Sequence, residues 1–91
     1  MVTAIVLLNT ERDAVNSVAE ALAALNGVSE VYSVSGNYDL LAILRVHSNE
    51  AIADVMTEHV GKVPGITDTH TMLAFRAYSK HDLESMFGVG A

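Results

Sequence analysis

Five consecutive residues, Ser35-Gly36-Asn37-Tyr38-Asp39, carry the most informative chemistry in this chain. Successive backbone N–H groups around Gly36 can receive a carboxylate, and Asp39 can receive an ammonium at charge-assisted strength. An anion-donor site beside a carboxylate suits a zwitterionic α-amino acid. The same residues also meet a plainer need: Gly36 and Asn37 accept positive φ, and Asp39 caps a tight hairpin. Thr67, Thr69 and Thr71 alternate on one face of a strand. They are hydroxyl donors for a small polar pocket, or surface hydroxyls on a β-prone stretch.

Other chemistries find little support. The four histidines are His47, His59, His70 and His81. None has a partner at the i, i+3 or i, i+4 spacing of a helical metal pair, and no cysteine is present, so neither a metal nor a cofactor is expected. His59 is expected half-buried on a helix, and His70 on the last strand among threonines. There is no Gly-x-Ser-x-Gly elbow, no GxGxxG and no phosphate loop. An enzyme is therefore not expected. Five basic against 11 acidic residues leave a net charge of −6, and the five are scattered at Arg12, Arg45, Lys62, Arg76 and Lys80. That balance argues against direct nucleic-acid binding or attachment to an anionic membrane. No uncharged apolar run approaches the ~20 residues of a membrane span. The amino terminus lacks a basic region ahead of its apolar run, so a secretory signal is not expected and a cytoplasmic protein is.

The elements that position these residues follow from periodicity. Val2–Asn9 (VTAIVLLN) reads as a buried strand. Glu11–Asn26 switches to helical spacing, with Val15, Val18, Leu22 and Leu25 in one stripe and Asn26-Gly27 as its stop. Val28–Ser35 alternates, placing Val28, Glu30, Tyr32 and Val34 against Ser29, Val31, Ser33 and Ser35. Gly36-Asn37 makes the turn into a second apolar strand, Tyr38–His47. Ser48 caps a helix through about Gly61, with Ile52, Val55, Met56, His59 and Val60 on one face. Lys62–Gly65 turns the chain into a last strand, Ile66–Tyr78. Residues 79–91 form a tail with a short helix expected at Asp82–Phe87. A β-α-β-β-α-β order with right-handed crossovers gives an α+β, ferredoxin-like sandwich with strand order 4-1-3-2 over residues 1–78.

The central strands predict more than a fold. Val2, Ala4, Val6 and Leu8 face one way and Ile5 and Leu7 the other. Leu40, Ala42, Leu44 and Val46 face one way and Leu41 and Ile43 the other. Two helices cover only one face, whereas an open antiparallel sheet normally shows water a polar one. With 51% hydrophobic residues in 91, the second face is expected to pack on another subunit, most simply as a two-fold homodimer with sheet against sheet.

Two segments now carry a resemblance. Val31–Leu41 (VYSVSGNYDLL) resembles a G-x-Y-D hairpin, and Val63–Thr71 (VPGITDTHT) resembles a P-G-V-x-x-x-x-T pattern. Spaced around a helix and preceded by an apolar opening strand, the pair resembles the effector-binding (RAM) domain of the Lrp/AsnC, or feast/famine, transcription regulators over residues 1–78. The resemblance implies a dimeric α+β barrel, rings of dimers such as octamers, and amino-acid effectors bound where dimers meet. Carried over by position, Gly36, Asn37, Tyr38 and Asp39 belong to the ligand-binding site, with Thr69 and Thr71 as candidates from the last strand. The family's amino-terminal helix-turn-helix has no counterpart in this sequence. The expectation is an amino-acid sensor acting through a partner, such as a full-length Lrp/AsnC regulator. The alternatives are an ACT-like small-molecule domain, a dimeric-barrel enzyme and a purely structural assembly subunit. The doubly apolar sheet favours face-to-face association over the side-by-side pairing usual for ACT domains. The nearly all-aliphatic core leaves little room for an enzyme's polar cavity.

Overall fold

In the computed structural model, which describes residues 1–78 and Lys80, four strands and two helical segments follow the expected order. They are β1 (Val2–Thr10), α1 (Val15–Ala23), β2 (Val28–Ser33), β3 (Leu40–Val46), α2 (Asn49–Asp54) and β4 (Ile66–Ala74). The sheet is antiparallel throughout, in the order β2-β3-β1-β4. The ferredoxin-like α+β architecture is borne out. The helix expected at Asp82–Phe87 lies outside the described residues.

The two central strands keep the predicted phase. Ala4, Val6 and Leu8 of β1 and Leu40, Ala42, Leu44 and Val46 of β3 are buried under the helices. Val18 and Leu22 of α1, with Ile52, Val55 and Val60 from the second helical segment, complete this core. The register pairs Leu7 with Leu41 and Ile5 with Ile43 on the opposite, uncovered face, where all four remain half-buried.

Three local features depart from simple periodicity. In β2 the register slips between Val28 and Glu30, so Val28 opposes Leu44 and Val31 opposes Ala42. The expected alternation placed Val28 with Glu30. The extra residue at this bulge turns the strand by one position, so Val28 and Val31 share the core face while Glu30 and Tyr32 share the open one. The second helix begins as expected, with the Ser48 side chain accepting from the Ala51 N–H at 3.1 Å. It then passes through a π-turn at Val55–His59 and a 3-10 turn at Val60–Lys62. The wider turn advances the chain by an extra residue, so Val60 takes the inward position and His59 is exposed instead of half-buried. Finally, α1 starts at Val15 rather than Glu11, because Glu11 donates its N–H to the Gly65 carbonyl (2.7 Å) and residues 12–13 form a turn.

That contact explains the Pro64-Gly65-Ile66 signature. Gly65 has φ +98°, and a Cβ there would stand 2.8 Å from the Ala14 Cβ and 3.1 Å from Val18 Cγ2. The glycine lets β4 enter directly beneath α1, which is a packing role.

Candidate ligand-binding site

Residues 34–39 connect β2 to β3 as a loop longer than the two-residue turn expected from Gly36-Asn37. Gly36 alone has positive φ, +101°, and Asn37 does not. The loop is closed at its base by the Val34 N–H donating to the Asp39 carbonyl at 3.1 Å. Above that closure, the N–H groups of Ser35, Gly36, Asn37 and Tyr38 donate to no acceptor among the described residues. A Cβ at Gly36 would meet nothing within 4 Å, so the space over this backbone is open. Four undonated amides beside open space form a surface able to receive an anion.

Asp39 does more than cap a turn. Its N–H donates to the Leu8 carbonyl (2.9 Å) and to Asn9 Oδ1 (3.2 Å). Its Oδ2 accepts from the Thr10 N–H at 2.9 Å. The residue thus clamps the hairpin to the end of β1, where the β1–β4 register shifts between Asn9 and Thr10 and Thr10 needs an acceptor. Its Oδ1 takes no hydrogen bond from the described residues. One carboxylate oxygen is structural and the other is available to a cationic group.

Tyr38 reaches over β1 to β4, its ring edge-on to His70 with centroids 5.5 Å apart and planes at 72°. His70 in turn meets Asp68 Oδ2 through Nε2 at 3.2 Å. Residues directly opposite in antiparallel strands share a face. His70 opposes Leu7, and Asp68 opposes Asn9, so Tyr38, His70 and Asp68 gather on the open face. Thr69 opposes Leu8, and Thr71 opposes Val6, which places both threonines on the helix side, where they are nonetheless exposed. Within one chain the loop and the threonines therefore do not form one pocket. Asn9, Thr10, Asp68 and His70 join the loop instead. Periodicity places His70 on the last strand but signals none of the other three: Asn9 and Thr10 lie 30 and 29 residues from Asp39 in sequence, and Asp68 is brought beside Asn9 only through the pairing of β4 with β1.

A second polar group decorates the open face. Arg45 Nη1 meets Glu30 Oε1 at 3.0 Å, and the Tyr32 hydroxyl donates to the other Glu30 oxygen. The Tyr32 hydroxyl and then Arg45 hold the Glu30 carboxyl below its ordinary range, and the carboxylate raises the Tyr32 phenol. Among the described residues no cluster of three metal-ligating side chains occurs, and no helix is long and apolar enough to cross a membrane.

Comparison with known proteins gives a consistent result. The family model for the Lrp/AsnC ligand binding domain matches residues 3–83. The HTH-type transcriptional regulator FL11 of Pyrococcus horikoshii is 27% identical over 77 residues, covering 85% of this chain and 50% of the regulator. The chain thus spans about half the length of the regulators it matches. The crystal structure of TTHA0845 from Thermus thermophilus superposes with a TM-score of 0.83 at 44% identity, over 88% of this chain and all of that one. A transcriptional regulator from Neisseria meningitidis, solved as a complex with L-Met, shares the fold at a TM-score of 0.78 and 14% identity, over 86% of this chain and 52% of that one.

Proposed function

The chain belongs to the Lrp/AsnC ligand-binding domain family, and on that premise we propose that it senses a small α-amino acid at the 35–39 loop. The observation that carries this reading is the loop itself. Four amides without acceptors lie beside a carboxylate that has one oxygen to spare. The amides of Ser35 to Tyr38 receive the effector's carboxylate, and Asp39 Oδ1 receives its ammonium. Amino-acid binding by a protein of this fold has a precedent in the L-Met complex of the Neisseria regulator.

The proposal extends to assembly. The open face carries Ile5, Leu7, Leu41, Ile43 and Met72, an apolar centre suited to the same face of a second copy in a two-fold homodimer. Thr69 and Thr71 join the site only when another subunit brings its β4 to the loop, so a ring of dimers gives them a role that one chain cannot. The effect on transcription then passes through a partner carrying a DNA-binding domain, a full-length Lrp/AsnC regulator being the natural one. Differential scanning fluorimetry against the twenty amino acids tests the reading. One or a few should raise the melting temperature by mass action, and the matching amino-acid amide, which lacks the carboxylate, should not. No shift with any of the twenty would overturn it.

A further inference from the structure

At the end of the open face away from the 34–39 loop, Arg45 of β3, Thr3 of β1 and Ala74 of β4 stand in one row across the sheet. Leu40, where that loop ends, and Arg45 lie on the same strand, so the row is separated from the loop by roughly 17 Å. The row floors a hollow of about 200 Å³. Met1 closes it on the β1 side, and Phe75 and Arg76 join it from the segment just beyond β4. Thr3 and Ala74 are small, so the two long side chains of the hollow, Arg45 and Arg76, come from different strands and flank a low floor.

Charge selects the ligand class. Both ionised side chains of the lining are cationic, and no carboxylate belongs to it. Glu30, outside the lining, engages Arg45 Nη1 at 3.0 Å in an exposed pair. Such a pair is weak, and a guanidinium has five N–H donors, so Arg45 keeps donors for a second acceptor. Arg76 makes no side-chain ion pair among the described residues. Two guanidiniums over a threonine hydroxyl are donors without enough acceptors of their own, and the planar fork of each matches the oxygens of a phosphate or a carboxylate. The hollow is smaller than the roughly 300 Å³ at which drug-sized sites begin, so it fits a charged group rather than a whole cofactor.

We propose that this hollow is an oxyanion site, separate from the effector loop, that takes the phosphate or carboxylate group of a small metabolite. Arg45 and Arg76 receive the anion from two sides and the Thr3 hydroxyl donates from the floor. Glu30 competes with the anion for Arg45, so the ion pair on the open face holds the site partly closed until a ligand displaces it. The site is independent of the amino-acid reading of the 35–39 loop, since no residue is common to the two.

Pyrophosphate and citrate are suitable probes, one for each kind of oxyanion. Both are titrated into the isotope-labelled full chain at pH 8 and constant ionic strength, and followed by amide chemical shifts. At least one should move the amides of residues 3, 45, 74, 75 and 76 with saturation, and the tighter of the two identifies the preferred group. Arg76→Gln, at an exposed position, should keep the fold and weaken binding about threefold to tenfold. Glu30→Gln removes the competing carboxylate and should tighten binding about twofold to threefold, a gain that a purely structural ion pair would not give. Undiminished binding to Arg76→Gln, unchanged or weaker binding to Glu30→Gln, or no saturable shift of these amides by either probe up to tens of millimolar would each overturn the proposal.

Discussion

Replacing Asp39 separates its two roles. In Asp39→Ala the Thr10 N–H loses its acceptor at 2.9 Å in a part-buried position, and the hairpin loses its side-chain tie to β1. An orphaned donor of this kind costs about 1–3 kcal/mol when fully buried, and partial access of water here brings the expected loss to about 1–2 kcal/mol. For a domain of this size that lowers the melting temperature by roughly 5–15 °C. In Asp39→Asn the amide oxygen still accepts from Thr10, so only the charge-assisted part is lost, about 0.5–1 kcal/mol. Urea unfolding of the three proteins measures both values, at one fixed protein concentration because self-association contributes to stability. The backbone bonds from Asp39 to Leu8 and Val34 persist in every variant, so the fold should survive. An alanine variant within about 0.5 kcal/mol of wild type would refute the clamp. So would an asparagine variant as unstable as the alanine one.

Ile43→Lys places a charge at the centre of the open face and should weaken association while leaving the fold intact, as sizing and circular dichroism would show. Leu44→Ala, on the buried face of the same strand, should instead cost about 2–5 kcal/mol in unfolding free energy, because it opens a cavity beneath the helices. Glu30 has its folded pKa lowered by Tyr32 and Arg45, so its contribution is present above the unfolded carboxyl pKa and is lost as pH falls through the folded value. Glu30→Gln should therefore flatten the acid side of a plot of urea midpoint against pH, by a small amount because the group is exposed. The isolated chain, at net charge −6, should give no gel shift with duplex DNA that survives physiological salt and competitor.

The architecture was legible because each level of the sequence agreed. The stripe at Val15, Val18, Leu22 and Leu25, the opposed apolar sets of β1 and β3, and the Ser48 cap all point to one topology. Legibility failed where one residue changes the phase. The bulge in β2 and the π-turn at Val55–His59 each insert a residue into a regular repeat, so Val31 turned inward and His59 outward against their periodic positions. The loop was legible as a place, since Gly36 and Asp39 are rare in a strand context. Its anchors were not, because Asn9 and Thr10 reach Asp39 only through the pairing of strands distant in sequence. The threonines show the part that strand register plays. Thr69 and Thr71 do alternate on one face, but strand register decides which face, and it is the one away from Tyr38 and His70.

Amino-acid binding at the 35–39 loop, as proposed above, is open to a direct test. Calorimetric titration of wild type and Asp39→Asn, with the amino acid selected by thermal shift, tests it most directly. Asp39→Asn retains the clamp to Thr10, so a change in affinity reports on the free Oδ1 rather than on folding. Wild type should bind, and Asp39→Asn should lose about tenfold or more in affinity, the equivalent of one charge-assisted hydrogen bond. Equal affinities for the two proteins would contradict it.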